Sequence, residues 1–514
     1  MQTRIHDFLN EAVATRGAEQ ALIDFADRTY SWDDLQTAVD DAEAELKEVG
    51  LRPGDRVVLV FENCISVAAF IFAASRMDAI VVVVNARLTP AELERIIAHS
   101  DPSTVVFCTQ ASDTAQAHSV EFSATKVYGA FVEVAISKRA NSTPEPIFSA
   151  PSEQVAILLY TSGTTGAPKA AMLTHGNLIA AAHASAKVRD MAAADMCYLA
   201  LPLSHIFGLV TFLAVCSAKA AMRLEAKFSV ARLYDALQSN VTHLPAVPQM
   251  HAHLFHYVRE QNKPRGSGGV LRYVSSGGAP LDPVWKREAE AFYGLALQNG
   301  YGLTESAAGV CVTVNKLGDP DISAGRPMQG CVLKIDMHAA GAEPDKGIGE
   351  ILVGGPQVMK GYFRDAEESA KVLTDDGFFR TGDLGRCDEE GRLHIAGRSK
   401  ELIIRSGFNV YPVEVEAALT DHPEVIVAGV VGRAVTGNEE VLGFVKIAPD
   451  CTLTEIDLKA FVHDKLAPYK RPSRIILAPD LPAAPTGKIL KSKLIDFFSQ
   501  DLGNPQESGT GGET

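Results

Sequence analysis

Residues 160–169 have the sequence Tyr160-Thr161-Ser162-Gly163-Thr164-Thr165-Gly166-Ala167-Pro168-Lys169. The apolar run before them, at 155–159, is typical of a buried strand, and a second short apolar run follows at 170–173. The glycines allow backbone N–H groups to converge on an anion, the hydroxyls add donors, and Lys169 adds a positive charge. Because the lysine is not followed by Ser or Thr, the stretch is not a Walker A loop. We therefore predict a phosphate-binding loop between two strands.

A flexible surface loop is the alternative for this composition, since stretches rich in Ser, Thr and Gly are linkers more often than binding sites. Three features of the sequence favour the binding site. Both flanks are apolar, a single lysine closes the loop, and Thr174 is a capping residue for a helix that begins directly afterwards.

The composition is that of an ordinary globular protein, with 46% hydrophobic and 22% charged residues. The length of 514 residues suggests two to four structural units of roughly 100–200 residues each. The net charge of −15 argues against a general nucleic-acid or anionic-membrane binder, although a local basic pocket is still allowed.

The cellular compartment is indicated by the cysteines and by the apolar segments. The eight cysteines are scattered, without a Cys-x-x-Cys pair or the Cys/His spacing of a zinc site. The most apolar stretch, 65–84, is interrupted by Arg76 and Asp78, so we predict a buried helix and strand there and no membrane span. The N-terminus has no apolar signal core. We expect a cytoplasmic protein with reduced cysteines.

The order of the elements predicts an α/β fold. Helix-like and strand-like segments alternate in the first 150 residues, which indicates layered α/β subdomains with a largely parallel sheet. Short strands after residue 330 indicate a small β subdomain. We expect a large N-terminal domain at 1–399, a small mobile α+β C-terminal domain at 400–502 with its hinge at Lys400, and a disordered tail at 503–514.

Three further segments carry candidate ligand-binding residues, each with a structural alternative. In Asn299–Glu305, glycines on both sides of Tyr301 leave room for a flat ligand, and the final carboxylate offers hard oxygen for Mg²⁺, but a turn with a buried tyrosine has the same pattern. Ser275–Pro280 predicts a strand that ends either in a tight turn or close to a ligand. Asp383 is able to accept two ribose hydroxyls, although most aspartates in turns cap backbone groups.

Two single residues stay open from their local sequence alone. His205 stands among apolar residues in the segment 201–208, where a lone histidine is more often a satisfied core residue than a functional one. Lys488 stands on a glycine-bearing stretch near the end of the chain, where a surface lysine is usually only solvated.

Together and in this order, these segments resemble the adenylate-forming superfamily, which comprises acyl-CoA synthetases, adenylation domains of peptide synthetases and luciferase-like enzymes. The resemblance covers about residues 10–498, and the region 397–412 looks most like the acyl-CoA synthetase branch. It implies that a carboxylate attacks the α-phosphate of ATP to give acyl-AMP and pyrophosphate, after which the thiol of coenzyme A attacks the acyl carbonyl. It implies ATP, Mg²⁺ and coenzyme A as cofactors.

The resemblance also implies the roles of individual residues. The catalytic residues would be Lys488, His205, Lys169 and Glu305. The metal would lie near Thr161 and Glu305. The residues implied in binding the nucleotide and CoA are Thr161, Ser162, Gly163, Thr164, Thr165, Gly166, Gly278, Ala279, Asn299, Tyr301, Gly302, Thr304, Asp383, Arg398, Gly407, Tyr469, Lys470 and Arg471.

In the superfamily the C-terminal domain rotates between the two steps. By resemblance, Lys488 would bridge the substrate carboxylate and the phosphate oxygens in the first step. Rotation about Lys400 would then withdraw Lys488 and bring in Gly407, which leaves room for a pantetheine arm. His205 would lie where the acyl pocket meets the thiol tunnel.

The sequence departs from the common family pattern at four positions. Ser204 stands where many relatives carry an aromatic residue, Asn299 often corresponds to Gln, and Lys491 replaces a common Arg. Gly437 stands where some CoA ligases carry an aromatic residue, which slightly weakens the prediction of CoA as the acceptor.

Alternatives to a carboxylic acid–CoA ligase are an enzyme that loads the phosphopantetheine of a carrier protein, a non-catalytic nucleotide-binding homologue, and, more remotely, a luciferase-type monooxygenase. The expected pocket walls at 206–212, 243–251, 276–278 and 306–310 are mostly small or apolar. We therefore predict an apolar monocarboxylate as substrate, with no nucleic-acid partner and with a homodimer as an open option.

Overall fold

The computed structural model describes residues 2–139, 142–161, 169–278, 281–406, 408–435, 438–448, 451–483 and 489–502. The chain divides into two compact units. The first contains Met1–Leu281, Lys286–Leu333 and Val353–Arg380, and the second contains Asp282–Trp285, Lys334–Leu352 and Thr381–Thr514. The division into compact units does not test a hinge, so the domain boundary and hinge at Lys400 stay a prediction. The tail 503–514 lies outside the described residues.

The first unit is built on two sheets, which are parallel in their interiors and antiparallel toward their edges. The larger sheet has the order Arg326–Pro327, Ala308–Val312, Leu297–Leu303, Tyr273–Gly277, His243–Ala246, Met196–Leu199, Ala221–Leu224, Gln20–Ile23 and Thr29–Ser31. The other sheet has the order Thr125–Tyr128, Glu133–Lys138, Thr104–Phe107, Arg56–Phe61, Ile80–Asn85, Val155–Thr161 and Lys169–Thr174.

The α-helices follow the predicted alternation with the strands. They span Asp7–Arg16, Trp32–Glu48, Ile65–Arg76, Pro90–Ser100, Asp113–Glu121, His175–Val188, Ile206–Ser217, Val230–Leu237, Pro248–Glu260, Pro283–Tyr293, Ala366–Val372, Pro412–Thr420, Glu455–His463, Lys491–Phe497 and Ser499–Leu502. The helix Ile65–Arg76 and the strand Ile80–Asn85 are buried as their apolar sequences predict. In the part of the chain that is described, no helix is both long enough and apolar enough to span a membrane.

The second unit contains smaller sheets. A four-stranded sheet has the order Val332–Asp336, Gly349–Gly354, Phe378–Cys387 and Leu393–Arg398. Ile403–Arg405 pairs with Phe408–Val410, and Asn438–Ile447 lies between Val425–Val435 and Arg474–Ala478. Its helix Pro412–Thr420 packs into an apolar core that includes Val415 and Leu419. The predicted fold class, layered α/β subdomains followed by a small α+β domain, is confirmed by these elements; its mobility stays a prediction.

Local sequence explains how the phosphate stretch is held at its ends. Val155–Thr161 and Lys169–Thr174 pair in antiparallel fashion, with Thr161 directly opposite Lys169. The Thr174 hydroxyl accepts a hydrogen bond from the backbone N–H of Asn177, and the Asn177 side chain accepts one from the N–H of Thr174. This reciprocal cap starts the helix His175–Val188 where the sequence predicts it.

Candidate active site

The two ends of the phosphate stretch are fixed by the sheet. Thr161 and Lys169 are both half-buried, and as register partners in an antiparallel pair they lie side by side. Ser162, Gly163, Thr164, Thr165 and Gly166 lie outside the described residues. The lysine that closes the stretch is therefore placed next to the last residue of the preceding strand.

A segment at 359–363, which sequence reasoning missed, connects the phosphate strand with the Glu305 turn. Its backbone runs beside the strand Lys169–Thr174: the N–H of Phe363 donates to the carbonyl of Ala170 at 2.8 Å. At the other end of the segment, the N–H of Met359 donates to the carbonyl of Glu305 at 2.8 Å. We name residues 359–363 the ribbon. Because the ribbon is continuous, it fixes the distance between Lys169, the candidate phosphate lysine, and Glu305, the candidate metal carboxylate.

Tyr362 is the side chain of this segment that reaches both groups. Its hydroxyl donates a hydrogen bond to Glu305 Oε1 at 2.8 Å, and its ring centroid lies 5.7 Å from Lys169 Nζ. Burial and the charge of Glu305 raise the pKa of Tyr362, so the hydroxyl stays protonated and remains a donor. Gly361, directly before it, has φ +145°, a conformation that favours glycine. The glycine directly before this tyrosine is the sequence feature that could have drawn attention to the segment.

Glu368 was also missed, and it is the ion-pair partner of Lys169. Its Oε1 lies 2.5 Å from Lys169 Nζ, and the hydrogen bond from Lys169 lowers the pKa of Glu368. Asp365 and Glu368 have the spacing of a helix capping box. Asp365 does cap the backbone N–H of Glu368, but the glutamate side chain pairs with Lys169. A phosphate that binds Lys169 has to compete with this carboxylate.

Replacing Tyr362 with Phe removes one hydrogen bond from Glu305 and keeps the ring. We expect the Mg²⁺ concentration needed for half-maximal pyrophosphate release to rise by about 10-fold, because partners that orient a metal ligand typically change metal affinity by this amount. The matched control is Tyr30→Phe, which removes a tyrosine–carboxylate hydrogen bond to Asp24 elsewhere in the unit. Equal Mg²⁺ requirements in the two variants would contradict the prediction that Tyr362 orients Glu305 as a metal ligand.

The candidate base pocket lies at the carboxyl ends of two neighbouring parallel strands, Tyr273–Gly277 and Leu297–Leu303, where ligands of open α/β sheets commonly bind. Ser276 is opposite Asn299 in the register, and Gly277 is opposite Gly300. The Asn299 amide donates to the carbonyl of Ser323 at 2.9 Å, while its Oδ1 is buried and has no hydrogen-bond partner among the described residues. A buried acceptor of this kind is suited to an amino group of a ligand.

Glycine is required at position 302 by the neighbouring strand. A Cβ on Gly302 would lie 1.5 Å from the carbonyl oxygen of Ala308, at a register shift between the strands Leu297–Leu303 and Ala308–Val312. Tyr301 is half-buried directly before it, and Thr304 and Glu305 follow in a short 3₁₀ turn. The close approach of the backbones therefore fixes the turn that carries Glu305.

His205 lies at the start of the apolar helix Ile206–Ser217 and is exposed. Its Nδ1 accepts a hydrogen bond from the N–H of Phe207 at 3.3 Å. The loop before it is clamped by buried Asn63, which donates to the carbonyl of Leu201 and accepts from the N–H of Leu203, both at 2.9 Å. The histidine is therefore a helix cap at the surface of the first unit rather than a core residue.

Two buried histidines in the segments predicted to form the acyl wall make hydrogen bonds to interior groups of the protein. His251 Nδ1 lies 2.7 Å from the Tyr293 hydroxyl, and Nε2 lies 3.2 Å from the carbonyl of Ser275, to which it can only donate. Burial lowers the pKa of His251 to about 4 and outweighs the opposing hydrogen bond to Ser275. Burial also lowers the pKa of His243, whose Nε2 lies 3.0 Å from the carbonyl of Arg189. Both rings are neutral at pH 7.

Buried, neutral His251 makes stability depend on pH in a defined direction. Above pH 6.5 the ring is neutral in both states, so it contributes no pH dependence. As the pH falls from 6.5 to about 4, the unfolded state takes up a proton that the folded state excludes, and the free energy of unfolding decreases by about 3 kcal/mol from this group. His251→Gln should flatten the fall of the urea midpoint between pH 7 and 4.5. His256→Gln, an exposed position on the same helix, is the control; equal slopes in wild type and His251→Gln would exclude this effect.

In the second unit, Asp383 and Arg398 lie side by side. They are opposite each other in an antiparallel pair, and Arg398 Nε lies 2.9 Å from Asp383 Oδ1. The N–H of Asp383 donates to the Thr381 hydroxyl at 3.0 Å, and this hydroxyl donates to the carbonyl of Ile351. Asp383 is 4% exposed, so its carboxylate is held by the strand and by the arginine. That Asp383 and Tyr301 share one nucleotide stays a prediction, because they belong to different units.

The candidate CoA contacts in the second unit have partners of their own. The Tyr469 ring stacks on exposed Phe408 with centroids 4.7 Å apart, a pairing that sequence reasoning missed. Lys470 Nζ lies 2.5 Å from a carboxylate oxygen of Glu414, and Arg471 Nε donates to the carbonyl of Leu466 at 2.9 Å. Lys470 and Arg471 directly follow Tyr469 in the chain. Ala279, Gly407, Gly437 and Lys488 lie outside the described residues.

The chain matches two models of known protein families. A family model described as AMP-binding enzyme matches residues 9–363, which is more than half of the sequence. The chain belongs to the AMP-binding enzyme family. A second model, for the C-terminal domain of AMP-binding enzymes, matches residues 414–488 of this AMP-binding enzyme.

Similar proteins of this family include CoA ligases from bacteria and plants. Sulfoacetate–CoA ligase of Cupriavidus necator is 31% identical over 87% of this chain and 88% of that protein. 4-Coumarate–CoA ligase 2 of Oryza sativa is 30% identical over 91% and 87% of the two chains. The crystal structure of ATP-bound MatB from Rhodopseudomonas palustris is 28% identical, with a TM-score of 0.83 over 98% of this chain and 100% of that one. MenE from Bacillus subtilis, in complex with ATP and magnesium, is 26% identical, with a TM-score of 0.80 over 95% and 98%.

This AMP-binding enzyme is an ATP-dependent, AMP-forming acid–CoA ligase with ATP, Mg²⁺ and coenzyme A as its cofactors, as the resemblance predicts. Among the described residues there is no cluster of three or more His, Cys, Asp or Glu side chains that would bind a metal by themselves. Mg²⁺ commonly binds one or two carboxylates together with substrate phosphates and water, so such a cluster is not required. Glu305, oriented by Tyr362, fits this donor set.

Proposed function

We propose that the enzyme joins an apolar monocarboxylic acid to coenzyme A through an acyl-AMP intermediate, with the two steps catalysed from different orientations of the C-terminal domain. The observation that carries the proposal is the ribbon 359–363, which ties the Lys169 strand to the Glu305 turn. Both Lys169, the proposed anion-binding lysine, and Glu305, the proposed metal-binding carboxylate, contact Tyr362 of this ribbon.

In the first step, the triphosphate repels an incoming carboxylate until its charge is neutralised. Lys169 exchanges Glu368 for phosphate oxygen and is the fixed cation of the site. Thr161 and Glu305 would hold Mg²⁺, which when bound would supply positive charge to neutralise the phosphates. Lys488 approaches from the C-terminal domain and bridges the acid and the phosphate, so that the acid oxygen attacks the α-phosphorus and pyrophosphate leaves.

In this proposal the nucleoside is held by the residues that the family resemblance implies. Tyr301 stacks on adenine, and Asn299 offers its buried Oδ1 to the exocyclic amine. Asp383 accepts the ribose hydroxyls, and Arg398 keeps that carboxylate ionised. Gly278, Ala279, Gly302 and Thr304 complete the walls.

In the second step, the thiol of CoA attacks the acyl carbonyl and AMP leaves. His205, which caps the start of the helix Ile206–Ser217, is proposed to lie where the acyl pocket meets the thiol tunnel. Gly407 admits the pantetheine arm, and Tyr469, Lys470 and Arg471 contact the CoA nucleotide. The exposed Phe408–Tyr469 stack supports this, because aromatic faces bind nucleotide bases.

We infer an apolar acid because the described segments proposed as the acyl wall, 206–212, 243–251, 276–278 and 306–310, contain no Lys or Arg to pair with a second carboxylate. His243 and His251 are neutral and engaged with interior partners, and the Phe207 ring packs against Gly277, whose added Cβ would lie 3.1 Å from it. A dicarboxylic acid would leave its second charge unpaired in this wall, which costs free energy.

The test is acid-dependent pyrophosphate release from ATP over aliphatic, aromatic and dicarboxylic acids, each with and without CoA. Release with apolar monocarboxylates that ends in acyl-CoA supports the proposal. Preference for a dicarboxylic acid would overturn the substrate class. Pyrophosphate release without an acyl-CoA product would identify a carrier protein as the acceptor, and no release in an ATP-binding protein would favour the non-catalytic alternative.

Assembly and location are part of the same proposal. We place the enzyme in the cytoplasm, supported by the eight cysteines, all within the described residues, which form no disulfide bond. A homodimer is the assembly to test first, by light scattering of the purified enzyme.

A further inference from the structure

Asn177 is a buried asparagine in the first turn of the helix His175–Val188, and it is 7% exposed. It stands at the position where a capping box commonly has Glu or Gln. Its Oδ1 accepts a hydrogen bond from the N–H of Thr174 at 2.9 Å. The N–H can only donate, so the oxygen side of the amide is assigned to the cap, and the amide nitrogen is left for other partners.

The amide nitrogen of Asn177 binds a segment that lies far along the chain. It donates to the carbonyl of Pro356 at 2.7 Å and to the carbonyl of Val358 at 2.8 Å, across 179 and 181 positions of sequence. We name these two hydrogen bonds the amide clamp. Asparagine suits the clamp because its side chain has one acceptor and two N–H donors, whereas an ionised aspartate has the same shape and no donor.

The amide clamp and Glu305 hold the same peptide group. The carbonyl of Val358 and the N–H of Met359 belong to one peptide unit, which is planar and rigid. The carbonyl accepts from Asn177, and the N–H donates to the carbonyl of Glu305 at 2.8 Å. Hydrogen bonds that share a peptide group in this way polarise and strengthen one another. Asn177 therefore reaches the backbone of Glu305 through one rigid group and two hydrogen bonds.

The ribbon holds the side chain of Glu305 as well as its backbone. Tyr362, three residues after Met359, donates to Glu305 Oε1 at 2.8 Å. Two hydrogen bonds with the backbone of Met172 hold the middle of the ribbon on the lysine strand. All of these contacts lie after Val358, so the amide clamp fixes the point at which the chain enters the ribbon.

We infer that Asn177 is a positioning residue of Glu305, which acts through the peptide group between Val358 and Met359. The inference rests on the proposed function of Glu305 as the metal ligand. Loss of a group that orients a metal ligand commonly lowers metal affinity by 10- to 100-fold. In this role Asn177 contacts neither the nucleotide nor the metal, so the binding of ATP without Mg²⁺ should not depend on it.

The experiment compares Asn177→Asp with the matched control Asn63→Asp. Asn177→Asp keeps the acceptor for the helix cap and removes both donors of the amide clamp. Asn63 is also a buried asparagine of the first unit, and its amide donates to the carbonyl of Leu201. The affinity for ATP is measured by calorimetry with and without MgCl₂, in the absence of acid and CoA. We expect the factor by which Mg²⁺ strengthens ATP binding to fall about 10-fold in Asn177→Asp and to match the wild type in Asn63→Asp.

The route through the ribbon is tested by combining Asn177→Asp with Tyr362→Phe. Both changes would misplace the same carboxylate, so the loss in the double variant should be smaller than the product of the two single losses. Losses that multiply would mean that Asn177 acts by another route and would overturn the inference. If Asn177→Asp fails to fold, Asn177→Ala gives the same test with Asn63→Ala as its control, since it removes the donors and adds no charge.

Three other outcomes would also overturn the inference. They are an unchanged Mg²⁺ factor in Asn177→Asp, an equal fall in Asn63→Asp, and an equal loss of ATP binding with and without Mg²⁺, which would mean that Asn177 is only structural. Glu305→Gln is measured in parallel. If Glu305→Gln leaves the Mg²⁺ factor unchanged, the proposed function of Glu305 is wrong. If Glu305→Gln lowers the factor and Asn177→Asp does not, the present inference alone is wrong.

Discussion

Lys488→Ala should abolish acyl-AMP formation, by about 10²- to 10³-fold, and leave thioester formation from supplied acyl-AMP near the wild-type rate. The size follows from losing one preorganised positive charge at the developing negative charge of the transition state. The selectivity follows from the proposed domain rotation, which removes the lysine before the thiol attacks. Pyrophosphate exchange into ATP measures the first step, and acyl-CoA production from synthetic acyl-AMP measures the second.

The control for this result is Lys493→Ala, which removes a lysine five positions later in the sequence, on the helix Lys491–Phe497. Both steps should keep their wild-type rates in this control. If Lys488→Ala lowers both steps equally, the account of two alternating orientations is wrong. If the first step survives, another cation, with Lys169 as the first candidate, neutralises the transition state.

Glu305→Gln should lower acyl-AMP formation at limiting Mg²⁺ by at least about 10²-fold. A partner of a metal ligand alone commonly changes metal affinity by 10- to 100-fold, and Glu305 is assigned as the ligand itself. The amide of Gln still accepts the hydrogen bond from Tyr362, so the geometry is kept and the charge is removed. Raising the Mg²⁺ concentration should recover part of the rate, and a titration of pyrophosphate release against Mg²⁺ measures this.

Glu368→Gln is the contrast to this variant because it removes a carboxylate from the same cluster, the one that pairs with Lys169. Its Mg²⁺ requirement should match the wild type. A loss in Glu305→Gln that does not respond to Mg²⁺, or the same Mg²⁺ dependence in both variants, would argue against Glu305 as the metal ligand.

The sequence predicted well those features that are encoded locally. The strands on both sides of the phosphate stretch follow from apolar runs, and the helix after Thr174 follows from its cap. Element ends are less well encoded: the strand that contains the apolar residues 441–445 begins already at Asn438, since pairing with Val425–Val435 extends it. Tertiary pairing decides where a strand ends, and a local pattern does not contain it.

The missed residues are those whose role depends on contacts between distant parts of the chain. Glu368 pairs with Lys169 across 199 residues of sequence, and its spacing from Asp365 suggested only a helix cap. Lys491 was noted as a departure from a common arginine, but its carboxylate partners Glu401 and Glu416 lie 90 and 75 positions earlier in the chain. Resemblance to a family gave the roles of Glu305 and Asp383; the groups that orient them had to come from the structure.

The backbone contact at Gly302 has a practical meaning for anyone who evolves this enzyme toward new acids. Since any side chain there would collide with the Ala308 carbonyl, randomising codon 302 would displace the turn that carries Glu305 and so remove activity before it altered selectivity. Phe207 is the better position for a library, because its ring is half-buried and borders Gly277 without a backbone clash of this kind. The proposed metal carboxylate and the proposed acyl wall can thus be varied through different codons.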